Sequence, residues 1–146
     1  FATLIDFSNH STESIELPSS WLFKLVDSGV HRQLSETYRS SADTETRLAH
    51  VVSENIRVRS SLRVSAPALG ILLNESHASL QTLGVSLPEV DEQVLKLQQT
   101  NGVYGARMMG GGYGGMILVL VESSRVLPEN PLFFPSQGSI FEEFLE

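Results

Sequence analysis

Cysteine is absent from this chain, and lysine is nearly so, since Lys24 and Lys96 are the only two. The lack of cysteine excludes a disulfide framework, a thiolate nucleophile and a cysteine zinc site, and it fits a reducing compartment. The four histidines are scattered, without a pair at the spacing of a helical metal site. We therefore expect a cytoplasmic protein that binds no metal through this chain.

Basic runs and long apolar runs are also missing. The arginines are dispersed and the formal net charge is −7, which argues against nucleic acid or an anionic membrane as a partner. No apolar stretch reaches the length of a membrane span, and no signal peptide opens the chain. The 146 residues, 41% of them hydrophobic, suffice for one domain with a core. We expect one domain over residues 1–146, without membrane or nucleic-acid partners.

Glycine, in contrast, is concentrated in one place. Five glycines fall among the six residues Gly110–Gly115. Glycine loses the most conformational entropy on folding, so such a cluster suits a backbone that needs positive φ or close approach. The flanking residues Gly102–Met108 and Met116–Val121 are rich in apolar residues typical of strands. The pattern predicts two strands with the glycines at the tip between them.

This placement decides among the familiar glycine-rich loops. Gly110, Gly112 and Gly115 satisfy G-x-G-x-x-G, but a dinucleotide site needs a helix after the loop, and a strand is predicted here. A Walker loop needs a lysine at its end, and a protein-kinase loop needs a lysine on the next strand; both lysines precede the glycines. An anion-binding nest of backbone N–H groups or an ordinary hairpin remains. The local pattern alone favours the hairpin.

Strands and helices alternate in blocks along the rest of the chain. Three early strands are predicted at Phe1–Phe7, Ser14–Pro18 and Trp21–Asp27, and a polar loop from Val30 to Ala42 follows them. A late strand is predicted at Leu132–Phe134. The last elements are a turn over Pro135–Gly138 and a helix over Ser139–Glu146. Aromatic residues in these strands are expected to be core residues, namely Trp21, Phe23, Phe133 and Phe134.

Three helices are predicted between the two blocks of strands. Asp43 is placed to cap a helix that runs to about Leu62, with Leu48, Val52 and Ile56 at a four-residue spacing. A leucine stripe predicts a second helix from Ala66 to Leu83. Ser86 and Glu89 have the spacing of a capping box for a third helix that ends near Gln99. Strands, then helices, then strands predict an α+β sandwich with an antiparallel sheet.

Several polar residues could suggest chemistry, but each has a simpler explanation. Glu75 and His77 are two apart and point in different directions on a helix, so we assign neither a catalytic role. His77 lies at the edge of the leucine stripe, where a structural role is more typical. Asp27 is expected to end its strand, and Arg107 is expected to pair with the acidic surface.

Several segments together resemble one family, the galactokinase branch of the GHMP small-molecule kinases. The glycine segment is similar to the family's third motif, with Met109 and Tyr113 where threonine and phenylalanine are usual. Asn74–Leu80 is similar to the E-S-H-x-S-L helix. The other matching segments are Asp27–Arg32 (N-S-N-V-x-H), Val85–Asp91 (V-S-C-P-E-L-D) and Phe133–Gly138 (closing strand and P-S-x-G turn).

The resemblance implies a ferredoxin-like sandwich, the GHMP kinase C-terminal domain, facing the cleft of a sugar kinase. The implied activity is transfer of the γ-phosphoryl group of ATP to the anomeric hydroxyl of galactose or a related sugar, with Mg²⁺ and ATP held mainly by an N-terminal half. The family's catalytic aspartate and phosphate loop lie in that half, to which residues 1–7 could belong. We therefore expect no catalytic residue here and no activity from this chain alone.

With the resemblance added, we favour a functional glycine loop over an ordinary hairpin. The resemblance implies that Tyr38 approaches the sugar, although an aromatic residue in a polar segment often covers a core instead. A non-catalytic relative that senses a ligand or binds a protein remains an alternative function. The residues expected to support the phosphate site are Gly110, Gly111, Gly112, Tyr113, Gly114 and Gly115.

Overall fold

The computed structural model describes residues 2–30 and 42–133. They form six strands and three helices in the order predicted. None of the described helices is long and apolar enough to cross a membrane. The elements are β1 (Ala2–Asp6), β2 (Ser11–Ile15), β3 (Leu22–Asp27), α1 (Thr44–Ser61), α2 (Ala66–Thr82), α3 (Pro88–Gln98), β4 (Val103–Met108), β5 (Met116–Val121) and β6 (Leu132–Phe133).

Four of the strands form an antiparallel sheet in the order β4-β5-β3-β6. The three helices connect β3 to β4, which lie on either side of β5. This strand order is that of a ferredoxin-like sandwich, so the predicted α+β class is confirmed. Residues 122–131, which join β5 to β6, contain turns and no helix, so one crossover of the ferredoxin-like pattern is short.

The first two strands form a separate sheet. β1 pairs with β2 as an antiparallel hairpin, with Ala2 opposite Ile15 and Asp6 opposite Ser11. The second strand was predicted at Ser14–Pro18 and lies three residues earlier instead. Pro18 lacks the N–H that a strand ladder uses, which explains why pairing ends before it. The possible assignment of residues 1–7 to another domain stays a prediction.

The sheet has apolar side chains on both faces. Alternate side chains of a strand point to opposite faces, and β5 places Ile117, Val119 and Val121 on one face and Leu120 on the other. The first face packs with Val90 and Val94 of α3. The second packs with the start of α2, where Ala66 and Leu69 lie, and with Trp21, Phe23 and Tyr104. β5 is therefore the centre of the core, and its predicted bounds are confirmed.

Helix α1 begins as predicted but packs differently from a core helix. The Asp43 side chain accepts a hydrogen bond from the Thr46 N–H at 2.8 Å, which confirms the cap. No residue of α1 is buried. The regularly spaced Leu48, Val52 and Ile56 are 63%, 52% and 61% exposed. The apolar spacing predicted the helix correctly, but this stripe does not face the core of the described domain.

The start of α3 contradicts the predicted capping box. The N-cap is Leu87, which makes no side-chain capping bond, and Pro88 occupies the first turn. The Ser86 hydroxyl instead donates to the Asp91 carboxylate. Because Ser86 lies one residue before the N-cap, its hydroxyl cannot serve the first-turn N–H groups in the usual way. The predicted apolar face is confirmed, since Val90 and Val94 are fully buried.

Two strand residues differ from expectation in burial. Phe133, predicted as core, is 50% exposed, because β6 is a two-residue strand at the edge of the sheet. Lys24 is only 2% exposed near the middle of β3. Its ammonium group donates to the carbonyls of Ser124 and Leu127 at 3.0 and 2.7 Å. The only buried lysine of the described residues thus holds the turn between β5 and β6.

Candidate functional site at the glycine loop

Residues 109–115, called the glycine loop below, connect the antiparallel strands β4 and β5. The Met109 N–H donates to the Met116 carbonyl at 2.9 Å and closes the loop. The backbone φ is positive at Gly110, Gly112, Gly114 and Gly115, and also at Tyr113, where it is 62°. The predicted hairpin with glycines at its tip is confirmed. Residues with a Cβ rarely adopt this backbone conformation.

One side of the glycine loop rests on the turn between α2 and α3. The Val85 carbonyl accepts the Tyr113 N–H at 2.8 Å, and the Gly84 carbonyl accepts the Tyr113 hydroxyl at 3.1 Å. Gly112 is buried against the same turn, where a Cβ would lie 2.5 Å from the Val85 oxygen. Glycine is therefore required at position 112 both by its φ of 93° and by contact.

The other side of the glycine loop rests on the chain that leaves β3. The Gly115 N–H donates to the Val30 carbonyl at 2.9 Å, and the Gly115 carbonyl accepts from the Ser28 N–H at 3.0 Å. A Cβ on Gly114 would lie 2.3 Å from the Val30 oxygen. Asp27 ends β3 as expected, and its carboxylate accepts the Gly29 N–H at 2.9 Å. The glycine loop is thus held between two backbone walls.

These contacts use only some of the donors of the glycine loop. Within residues 2–30 and 42–133, the N–H groups of Gly110, Gly112 and Gly114 donate to no acceptor. Successive N–H groups in a glycine-rich turn form a concavity that suits an anion. The glycine loop therefore offers backbone donors of the kind that an anion site uses.

An ionic cluster lies beside the last residues of β4. The Glu54 carboxylate on α1 contacts Arg107 of β4 at 3.1 Å and Arg57 at 2.9 Å, and it accepts the Ser76 hydroxyl of α2 at 2.7 Å. The expected pairing of Arg107 with an acidic group is confirmed. Burial raises the pKa of Glu54, but the hydrogen bonds from Ser76 and Arg57 and the two arginine charges outweigh it, so the pKa is lowered.

A second polar cluster lies between α2, α3 and β4. His77 is 3% exposed, and its Nδ1 accepts the Met108 N–H at 3.4 Å. The imidazole proton is therefore assigned to Nε2, which lies 3.2 Å from Asp91 Oδ1 without good hydrogen-bond alignment. Burial lowers the pKa of His77, the Asp91 charge opposes this, and the Arg107 charge adds to it. His77 is thus a buried, neutral group.

The structure brings together the glycine-loop residues predicted from the sequence, and it shows partners that the sequence did not indicate. The carbonyls of Val85 and Val30 hold the loop. The sequence could not indicate them, because every residue has a backbone carbonyl. Glu75 is exposed on α2. Tyr38 lies outside the described residues, as do the predicted turn over Pro135–Gly138 and the helix after it, and all three stay predictions.

Residues 60–128 match the family model described as GHMP kinases C terminal. This region is therefore similar to the GHMP kinase C-terminal family. The glycine loop and all three contacts of its α2–α3 wall lie inside the matched range. The predicted family resemblance is therefore confirmed for this region, and the ferredoxin-like strand order agrees with it.

Several curated relatives of this chain are galactokinases. The chain is 45% identical over 85 residues to a galactokinase of Roseiflexus sp. (strain RS-1), which covers 55% of this chain and 22% of that protein. It is 40% identical over 89 residues to a galactokinase of Bos taurus, covering 58% of this chain and 23% of that protein. The chain thus spans about a quarter of the length of these relatives.

Solved structures of GHMP kinases share the fold of this chain. The Lactococcus lactis galactokinase complexed with galactose aligns with a TM-score of 0.56 over 82% of this chain and 42% of its own. The Methanococcus jannaschii mevalonate kinase aligns with a TM-score of 0.68 over 86% of this chain and 44% of its own. Both are 20% identical to this chain, so they show the fold alone.

Proposed function

We propose that this chain is the C-terminal domain of a galactokinase-like sugar kinase. Such an enzyme transfers the γ-phosphoryl group of ATP to the anomeric hydroxyl of galactose or a related sugar. The identity to curated galactokinases, 40–45% over 85–89 residues, supports this substrate class over the other GHMP kinases. The glycine loop supports the phosphate site, and Tyr38 contacts the sugar.

The observation that carries the proposal is the glycine loop, which is held between two walls and contains N–H groups that donate to no acceptor among the described residues. Phosphoryl transfer asks a protein mainly for positioning and for stabilisation of charge on the phosphoryl oxygens. Donors fixed by the contacts of Gly112 and Gly114 are already oriented before a phosphate arrives. The glycine loop therefore contributes binding and orientation rather than acid–base chemistry.

The residues described here fit ATP phosphates better than they fit the metal. Open N–H donors suit phosphate oxygens, whereas Mg²⁺ prefers carboxylate and water oxygens. Within the described ranges, no three histidine or acidic side chains are grouped to hold a metal ion. We propose that Mg²⁺ and the catalytic residues belong to the remainder of the kinase, and that this chain alone does not turn over.

Magnesium–ATP titrated into the isotope-labelled chain tests the loop assignment by nuclear magnetic resonance. We expect the amide signals of Gly110–Gly115 to shift progressively while those of β1 and β2 stay in place. Gly112→Val should abolish the shifts, because its side chain would displace the loop from Val85. Gly110→Ala serves as the matched control, since nothing lies within 4 Å of a Cβ there.

Two results would overturn the proposal. Shifts spread evenly over the surface, or unchanged by Gly112→Val, would show that the glycine loop is not the phosphate site. Galactose-dependent ATP turnover by the purified chain in a coupled assay would show that the catalytic residues do not lie in the remainder of the kinase.

A further inference from the structure

Three side chains, which we call the Ser86 cluster, connect the α2–α3 turn beside the glycine loop to the end of β4, where the loop begins. The cluster consists of Ser86, Asp91 and His77. The Ser86 hydroxyl donates to Asp91 Oδ1, and the same oxygen lies 3.2 Å from His77 Nε2. His77 also accepts the N–H of Met108, the last residue of β4. One buried imidazole therefore connects α2, α3 and β4.

Both ends of the Ser86 cluster lie next to groups that hold the glycine loop. Ser86 follows Val85, whose carbonyl accepts the Tyr113 N–H at 2.8 Å. Met108 precedes Met109, whose N–H closes the loop on Met116 at 2.9 Å. A shift of the Ser86 hydroxyl or of the His77 ring would thus move the α2–α3 turn relative to the end of β4, where the glycine loop begins.

Besides its carbonyl, Val85 is held by its side chain, which packs against the core, and by its N–H. Its N–H donates to the Leu80 carbonyl at 3.2 Å, which ties it to the end of α2. The next helix begins at Pro88 without a side-chain cap. The bond from Ser86 to Asp91 attaches this turn to α3, although it satisfies none of the first-turn N–H groups of that helix.

We propose that Asp91 and His77 are positioning residues for the glycine loop, acting through Ser86 and the Val85 carbonyl. Neither side chain touches the candidate phosphate site. Their effect is to keep the Val85 oxygen where Tyr113 and Gly112 require it. The link to phosphate binding rests on the proposed function, but the mechanical coupling does not.

Hydrogen exchange of individual amides in the full 146-residue chain tests the coupling. In Ser86→Ala the hydroxyl is lost while His77 and Asp91 stay, so we expect the Tyr113 N–H to exchange roughly tenfold faster or more, because local opening sets its protection. The N–H groups of Val119 and Leu120 in the centre of β5 should keep their rates. Ser86→Thr retains the hydroxyl and should restore slow exchange.

The matched control is Ser79→Ala, on helix α2. The Ser79 hydroxyl lies 2.8 Å from His50 Nδ1 of α1, away from the glycine loop. We expect Ser79→Ala to leave the exchange of Tyr113 unchanged. The control therefore separates loss of the Ser86 hydroxyl from loss of a serine side-chain contact elsewhere in the domain.

The possible results decide between positioning and simple structural support. Equal acceleration of Tyr113 and of the β5 amides in Ser86→Ala would show general destabilisation and overturn the proposal. Unchanged Tyr113 exchange would overturn it as well. Magnesium–ATP is not needed for this measurement, so local acceleration of Tyr113 in a chain that fails to bind nucleotide would sink the proposed function and leave the coupling standing.

Discussion

Gly112 and Gly110 have the same sign of φ but different surroundings. A Cβ on Gly112 would lie 2.5 Å from the Val85 oxygen, whereas a Cβ on Gly110 would meet nothing within 4 Å. Positive φ alone costs a residue with a Cβ about 1–2 kcal/mol. We expect Gly110→Ala to lower the free energy of unfolding by about that amount and Gly112→Ala to lower it by clearly more, measured by urea denaturation.

One result would contradict the expected difference between Gly110→Ala and Gly112→Ala. If Gly110→Ala and Gly112→Ala lower the free energy of unfolding equally, contact with Val85 adds nothing to the cost of positive φ. The close packing of the glycine loop against the α2–α3 turn would then be wrong.

Lys24 provides a second test at the scale of one residue. Its ammonium group is almost fully buried and donates to the carbonyls of Ser124 and Leu127. Lys24→Met keeps much of the apolar stem but leaves both carbonyls without this donor, and one unsatisfied buried group costs about 1–3 kcal/mol. We expect a loss of at least that size in the free energy of unfolding, measured by urea denaturation.

Lys96, the other lysine of the chain, is the matched control. It forms an exposed pair with Glu92 on α3, with a 2.7 Å contact. Solvent screens exposed pairs of this kind, so Lys96→Met should change stability little. A similar effect of the two substitutions would contradict the structural role of Lys24.

At the scale of elements, α1 is attached differently from α2 and α3. It buries no side chain, so its attachment depends on polar contacts such as those of Glu54 with Ser76 and Arg107. Glu54→Gln removes the charge that two arginines share. We expect amide exchange in α1 to accelerate more than exchange in α3, with a stability loss of about 1–3 kcal/mol.

Glu75→Gln, at an exposed position on α2, is the control for Glu54→Gln. It should leave α1 exchange unchanged. If Glu54→Gln also leaves α1 exchange unchanged, the helix is held by something other than the ionic cluster.

At the scale of the whole molecule, His77 makes stability depend on pH. Burial holds its pKa below the ordinary value of 6.5, despite the opposing charge of Asp91. Between the folded pKa and 6.5, the unfolded chain binds a proton that the folded chain rejects, so the free energy of unfolding falls as pH drops through this window. Above 6.5 both states are largely neutral at this site, and its contribution is retained.

Urea denaturation at about pH 7.5 and about pH 5.5 checks this dependence, which amounts to at most about 1.4 kcal/mol per pH unit. His77→Gln should lose less stability than the wild-type chain over that interval. Asp91→Asn should lose more, because it removes the charge that raises the pKa of His77. Equal losses in the wild-type chain and His77→Gln would contradict the assignment.

Local patterns in the sequence predicted the elements because those patterns report local physics. The run of apolar residues gave the bounds of β5, Asp43 marked the start of α1, and the leucine stripe predicted α2. The clustered glycines identified the tip between β4 and β5. The family motifs predicted the resemblance to GHMP kinases, since a motif is recognised from residue order alone.

Only the tertiary structure decided which groups meet. The carbonyls of Val85 and Val30 hold the glycine loop, and every residue has a carbonyl, so the sequence carries no sign of this choice. Ser86 has the spacing of a capping box but bonds Asp91, and Leu48 has core spacing but is exposed. Spacing along the chain fixes which side chains share a face, whereas burial and hydrogen bonding depend on what packs against that face.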